Sequence, residues 1–189
     1  MAHDAPTPDP SPATPASSAG GTAIHRLDRS RATDDWYTPP SVLDRLPKFD
    51  LDPCVPLVGP SPWQRVDSTF DATTDGLSRD WWGHVWVNPP YSNPGPWIER
   101  LAEHGDGIAL IFARTETGWW SDHVWSKADL LLFIRRRVSF VEPTATADSK
   151  GHNAPAPSVL VAYGAWAVQA LRQSQIPGHF ARPEADDGA

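Results

Sequence analysis

The sequence predicts an α/β fold, a sheet with helices packed on it, and three observations predict it. Short apolar runs at 85–87, 107–113 and 158–163 have the length and β-branched content of buried strands. Segments with helical periodicity lie between and after them, notably 96–104, which puts Trp97, Ile98 and Leu101 on one face. Turn formers separate the two kinds of segment, so strand and helix alternate along the chain.

Residues 1–33 are rich in Ala, Pro, Ser, Thr and Gly and show no periodicity. Such a composition buries too little apolar surface to fold, so a disordered tail is expected there. The folded domain is expected over 34–177, followed by a second, acidic tail over 178–189 with Glu184, Asp186 and Asp187. Within the domain, Pro40 at a first helical position and Val42, Leu43 and Leu46 on one face predict a short helix over 40–46. Phe49 to Asp52 reads as a strand, and 53–80 as irregular chain full of turn formers. Val85 to Val87 is a strand, 96–104 a helix, 107–113 a buried strand, 118–126 a helix and 130–134 a strand. Val138 to Val141 opens an antiparallel hairpin whose long loop ends near Pro157 and whose return strand is 158–163; a terminal helix covers 165–173.

At 189 residues the chain is one domain with tails. Its formal charge of −7 argues against strong nonspecific binding to nucleic acid. The deficit lies in the domain itself: residues 34–177 hold 12 Lys and Arg against 17 Asp and Glu. Any phosphate contact then falls to a local patch, and Arg135, Arg136 and Arg137, helped by Arg114 and Lys150, form the candidate. One cysteine rules out an internal disulfide framework. His84, His104 and His123 lack ligand spacing, so no metal is expected. No apolar run reaches spanning length and the first residues carry no signal pattern, so a cytoplasmic protein without a membrane partner is expected. The ten tryptophans read mainly as bulky core residues.

The most specific segment is Asn88-Pro89-Pro90-Tyr91, directly after the strand Val85-Trp86-Val87. Two prolines fix φ and remove two N–H donors, which leaves carbonyls as acceptors. The Asn88 side-chain oxygen and the Pro89 carbonyl can together accept both hydrogens of an exocyclic –NH2, and Tyr91 can stack on its ring. These are the parts that hold a planar amino-bearing base.

Asn-Pro-Pro-Tyr is the amino-methyltransferase signature, and the chain around it resembles the phage-type DNA N6-adenine methyltransferases, the phage Dam family. Trp36-Tyr37-Thr38-Pro39 before a helix, Phe49-Asp50-Leu51-Asp52-Pro53-Cys54 ending a strand, and Asp75-Gly76-Leu77 before Trp81-Trp82 carry the resemblance, in that order, over about 34–165. It implies a compact Rossmann-like methyltransferase sheet with a C-terminal antiparallel hairpin. It also implies S-adenosylmethionine as methyl donor and an adenine flipped out of DNA into the Asn88–Tyr91 site.

For the donor, the resemblance gives Thr38, with Pro39, to the carboxylate. Asp52 takes the ammonium or lies by the ribose. Asp75, with Asp71 able to exchange roles with it, accepts from the adenine amino group, and Leu77 packs on that ring. Two departures stand out. No glycine-rich loop follows the first strand, and the second strand such a fold needs, with its ribose-binding acid, has no visible place in 53–80. On the DNA side, Arg137 and Phe140 match a basic-x-x-aromatic pattern of the family. Lys150, His152 and Asn153 fall at the tip of the hairpin loop, where base edges or backbone would be met. Other planar amino groups (cytosine N4, an RNA base, a protein glutamine) fit the signature too. A catalytically inactive relative that binds DNA or protein is a further alternative.

Overall fold

The computed structural model describes residues 34–143 and 151–184. The expectations for 1–33 and 185–189, and the assignment of Lys150, lie outside the described residues. The chain folds in the order α1 (Pro40–Leu43), β1 (Phe49–Asp52), β2 (Val66–Thr69), a 3-10 turn (Gly76–Ser78), β3 (Val85–Val87), α2 (Gly95–His104) and β4 (Gly107–Phe112). Then come α3 (Gly118–Trp120), continued by a π turn (Ser121–Trp125), β5 (Leu130–Ile134), β6 (Ser139–Phe140), β7 (His152–Asn153), β8 (Ser158–Tyr163), α4 (Ala165–Gln173) and β9 (Gly178–Ala181).

Seven strands form one sheet in the order β2-β1-β3-β4-β8-β5-β9. β2, β1, β3 and β4 pair in parallel, whereas β8 runs antiparallel to both β4 and β5. The carboxyl ends of β1, β2, β3, β4 and β5 therefore share one edge of the sheet. This is the Rossmann-like α/β sheet the sequence predicts. β4 and β8 are buried at every position, as continuous apolar runs covered on both faces must be.

Alternation along the strands sorts side chains to two cores. Trp86, Ile108, Leu110, Leu132 and Leu160 pack with α1, which is shorter than the helix expected over 40–46, with the turn after it and with α4, through Leu43, Leu46 and Leu171 respectively. Val85, Val87, Ala109, Ile111, Leu131 and Val161 pack with α2 and α3 through Ile98, Leu101 and Trp120. Trp86 and Trp120 are fully buried, as core tryptophans are expected to be, but Trp82 is 45% exposed.

Four readings of the sequence are corrected. The second strand exists: Val66–Thr69 pairs in parallel with β1, Leu51 opposite Ser68. Its pattern VDST has no apolar run because it is a half-exposed edge strand. The segment 158–163 does not return against 138–141. It inserts between β4 and β5, and Ser139–Phe140 pairs with His152–Asn153 in a separate two-stranded sheet. His152 and Asn153 therefore lie on a paired strand, not at a loop tip. Finally, the domain does not stop at residue 177: Gly178–Ala181 pairs antiparallel with β5, covering backbone groups that would otherwise form an open edge.

The 3-10 turn is pressed onto the loop after β1. A Cβ on Gly76 would lie 2.0 Å from the Pro53 carbonyl oxygen, which is backbone and cannot step aside. Gly76→Ala is expected to destabilise the protein by about 1–3 kcal/mol, the usual range for overpacking. In a thermal melt that is a fall of roughly 2–12 °C at this chain length. An unchanged melting temperature would show that the two loops separate freely.

Candidate active site

The carboxyl edge of the sheet gathers the candidate residues. Asn88 follows β3, and both ends of its amide are held. Its Nδ2 donates to the Trp36 carbonyl at 2.8 Å, and its Oδ1 accepts from the Tyr91 hydroxyl at 2.8 Å. A carbonyl oxygen has a second lone pair, so Oδ1 can still accept from a substrate –NH2. Trp36 reaches this position because Tyr37 forms a two-hydrogen-bond bridge with Val141, at 2.9 and 3.0 Å, next to β6.

The Tyr91 ring stacks on Phe112, with centroids 3.9 Å apart and planes 10° apart, and meets Phe140 edge-on at 5.5 Å. Tyr91, Phe112, Phe140, Trp36 and His152 line an apolar recess of about 250 Å³. His152 leans on Trp36 at 5.3 Å and pairs with Glu142 at 3.2 Å.

A larger cleft, about 650 Å³, opens beside Asn88 and Pro90. Cys54, Gly76 and Trp97 line it, together with Asp34, Asp35, Asp71 and Asp75. Asp71 follows the end of β2, the position where the ribose acid was sought. Its Oδ1 accepts from the Thr73 N–H at 2.9 Å, the Thr73 hydroxyl at 2.6 Å and the Thr74 N–H at 3.1 Å. The Thr73 hydroxyl is the main cause that holds its carboxyl below the usual range. Asp75 sits in the left-handed region at φ 49° just before the 3-10 turn. Leu77 is not on the cleft wall: it packs against the core, and Gly76 takes the wall position.

Asp52 ends β1 but is 3% exposed and lies behind the large cleft. It borders a narrow cavity of about 10 Å³ shared with Thr38, Cys54, Gln64 and Asn88. Oδ1 accepts from the Cys54 N–H at 3.0 Å, and Oδ2 accepts from the Gln64 side-chain amide. Burial pushes its carboxyl up to about 6, against the lowering effect of these neutral donors. Burial, and next the Asp52 carboxylate, push the Cys54 thiol well up.

Thr38 is 3% exposed, and its hydroxyl has no hydrogen-bond partner among the described residues. It does not cap α1: the cap position is Pro39, no side chain caps the helix, and the helix is a single turn. A buried hydroxyl left without a partner asks for an explanation, and Thr38 borders the same narrow cavity as Asp52.

Arg135, Arg136 and Arg137 lie just past β5, on the same edge of the sheet, with exposed side chains. They do not line either cavity, and Arg137 donates to the Ala154 carbonyl at 3.3 Å. The sequence reading did not single out Phe112 or Gln64. Phe112 is the last residue of an apolar strand, and Gln64 lies in a segment read as irregular, so neither carried a signal.

A Rossmann-like sheet carries Asn-Pro-Pro-Tyr after β3 and an acid at the end of β1, both at one carboxyl edge, the arrangement expected of a methyltransferase fold. The chain belongs to the DNA N-6-adenine-methyltransferase (Dam) family, whose model matches residues 27–176. It is similar to the DNA N-6-adenine-methyltransferase of Escherichia phage T1, 30% identical over 115 residues, covering 51% of this chain and 46% of that protein. It is also similar to the DNA N-6-adenine-methyltransferase of Haemophilus phage HP1, 26% identical over 119 residues, covering 60% of this chain and 66% of that protein. The matched part thus spans about half the length of the first relative and just under two thirds of the second. No solved structure matches the chain.

Proposed function

We propose that the protein transfers a methyl group from S-adenosylmethionine to N6 of adenine in DNA. The observation that carries this reading is Asn88, fixed at both ends of its amide between an aromatic recess and a cleft of donor size.

The donor supplies an electrophilic methyl on a sulfonium. The residues present fit it. The unpartnered Thr38 hydroxyl suits its carboxylate, Asp52 suits its ammonium, and Asp71, at the end of β2, suits its ribose hydroxyls. Asp75 is placed to accept from its adenine amino group.

On the acceptor side, Asn88 Oδ1 and the Pro89 carbonyl take the two N6 hydrogens, which draws the nitrogen lone pair out of the ring and aims it at the cleft. Inside a duplex N6 is engaged in pairing, so the base must leave the stack. One face of Tyr91 is covered by Phe112, so stacking on the base falls to the other face, with Trp36 and Phe140 completing the recess. The apolar lining keeps water from the nucleophile.

Arg135 and Arg136 are proposed to contact phosphate. They are off the strand and both exposed, so the alternation of strand faces does not divide them. Replacing both with Gln is expected to weaken DNA binding without changing which adenine is methylated, because phosphate contacts position but do not read sequence. The salt dependence should flatten by roughly 0.9 log–log unit per lost contact. An unchanged slope with the fold intact removes this cluster from the DNA surface.

The whole reading is tested by incubating the protein with labelled S-adenosylmethionine and unmethylated DNA, then separating nucleosides. Label in N6-methyl-2′-deoxyadenosine supports it. Label confined to N4-methylcytosine, or to RNA or protein offered in parallel, replaces the acceptor, and no label in any of them points to an inactive relative.

A further inference from the structure

The cleft wall carries Asp34, Asp35, Asp71 and Asp75, and among the described residues no lysine, arginine or histidine lines it. This is an unusual lining for an enzyme whose polymer substrate is a polyanion. It is a suitable lining for a small cation. We propose that this acidic wall, and Asp34 and Asp35 in particular, lets the enzyme bind the cationic methyl donor in preference to its spent, neutral form. The inference rests on the donor assignment made above.

The charge argument follows from the reaction. S-adenosylmethionine has a sulfonium, an ammonium and a carboxylate, so it carries one net positive charge. The N6 lone pair forms the new N–C bond, and the C–S bond pair stays with sulfur. N6 then sheds one proton. S-adenosylhomocysteine, a thioether with no net charge, remains. Donor and product differ by one methyl and one charge, so shape alone discriminates weakly between them. A wall of carboxylates feels the charge and holds the product less well after transfer.

Position singles out Asp34 and Asp35. They immediately precede Trp36, whose carbonyl holds the Asn88 amide, so their stretch of chain runs beside the point of transfer. Asp71 and Asp75 stand with Gly76 on the wall assigned to the adenosine. Burial, and behind it the charge of Asp34, raise the Asp35 carboxyl, so a nearby cation would relieve both. A second observation ties the wall to this ligand. The narrow cavity behind the cleft shares Trp36, Cys54, Val55, Pro56 and Asn88 with it and holds the 3%-exposed, unpartnered Thr38 hydroxyl, a waiting contact for the carboxylate end of the same molecule.

The test is calorimetric titration of the full chain with S-adenosylmethionine, S-adenosylhomocysteine and sinefungin, which carries a protonated amine where the donor has its sulfonium. In Asp34→Asn/Asp35→Asn, affinity for S-adenosylmethionine and sinefungin should fall by about three- to tenfold, the scale of unit charges a few ångströms apart in a partly solvated cleft. Affinity for S-adenosylhomocysteine should stay the same. With the unaltered protein, added salt should weaken the two cations and spare the thioether, because screening acts on net charge. This second arm holds even if the double variant fails to fold. Equal weakening of all three ligands, or a donor-to-product ratio untouched by both substitution and salt, overturns the inference. A protein that binds none of the three overturns the donor assignment itself, and this inference with it.

Discussion

Asn88→Ala is expected to lower turnover by about 10²–10³-fold while donor affinity stays close to that of the unaltered protein. The range is that seen when one preorganised acceptor or donor at a reacting centre is removed, about 2.7–4 kcal/mol. The structure adds a reason for the upper part of it. The amide of Asn88 is locked by the Trp36 carbonyl on one side and the Tyr91 hydroxyl on the other, so its free lone pair is aimed before any substrate arrives. Alanine removes the acceptor and leaves the Tyr91 hydroxyl and the Trp36 carbonyl without that partner. A loss of stability is therefore expected as well, on the order of 1–3 kcal/mol. Tyr91→Phe separates the two effects. It frees Asn88 Oδ1 but keeps the ring against Phe112, so turnover should fall far less than with alanine at 88. Single-turnover rates measured with saturating DNA and donor decide the matter. If Asn88→Ala keeps more than about a tenth of the original rate, N6 is not held there, since that retention corresponds to only about 1.4 kcal/mol.

How much of this was legible in the sequence depends on where each element gets its stability. β3, β4 and β8 are buried on both faces, and β5 over Leu130–Leu132, so their apolar runs announced them. α2 has one apolar face and ends at Gly105 in the left-handed region, and its pattern placed it within a residue. β2 and β9 were missed for a shared reason. They are edge strands of four residues with partly exposed side chains, held by backbone pairing to β1 and β5. Backbone pairing leaves no trace in side-chain periodicity. Missing β2 also hid the position of Asp71, which stands just past the strand end, on the edge where open sheets of this kind bind ligands. The wrong partner for 158–163 came from reading nearness in sequence as pairing. β8 satisfies both its edges only by inserting between β4 and β5, since an all-buried strand cannot be left at an edge.

The site divides in the same way. Asn88 to Tyr91 stands out in the sequence because the proposed chemistry falls on four consecutive residues. The base recess was not, because Trp36, Phe112, Phe140 and His152 come from four separate segments that only the fold brings together. Asp52 was placed correctly at a strand end, but its burial behind Cys54, facing Gln64, could not be foreseen.

That burial sets up the second large effect. Asp52→Asn is expected to stabilise the ligand-free protein above pH 6 and to weaken donor binding at the same pH. The carboxyl sits at about 6 in the folded protein against 3.8 for the ordinary group, because burial disfavours the charge. The folded state therefore holds the proton more tightly than the unfolded chain. Asp52 contributes stability that is fully present below pH 3.8 and is lost as pH rises through about 6. Above that, keeping the carboxylate ionised costs on the order of 3 kcal/mol, at 1.36 kcal/mol per pKa unit. Asparagine avoids this cost if Gln64 turns its amide to present oxygen. The gain in a chemical denaturation series at pH 8 should accordingly reach about 1–3 kcal/mol and vanish near pH 4. Donor binding moves the other way. An ammonium against Asp52 stabilises the carboxylate, so binding to the unaltered protein should release a proton near pH 6 and weaken below it. In Asp52→Asn that part of the pH dependence should disappear and the affinity at pH 8 should drop. Asp34, Asp35, Asp71, Asp75 and the Cys54 thiol also face the ligand, so the comparison must be made between the two proteins at each pH rather than along one curve. A variant less stable than the original at pH 8 would mean that Gln64 and the Cys54 N–H compensate the buried charge in full. An unchanged donor affinity would move the ammonium to another acid of the cleft, with Asp71 the first to examine.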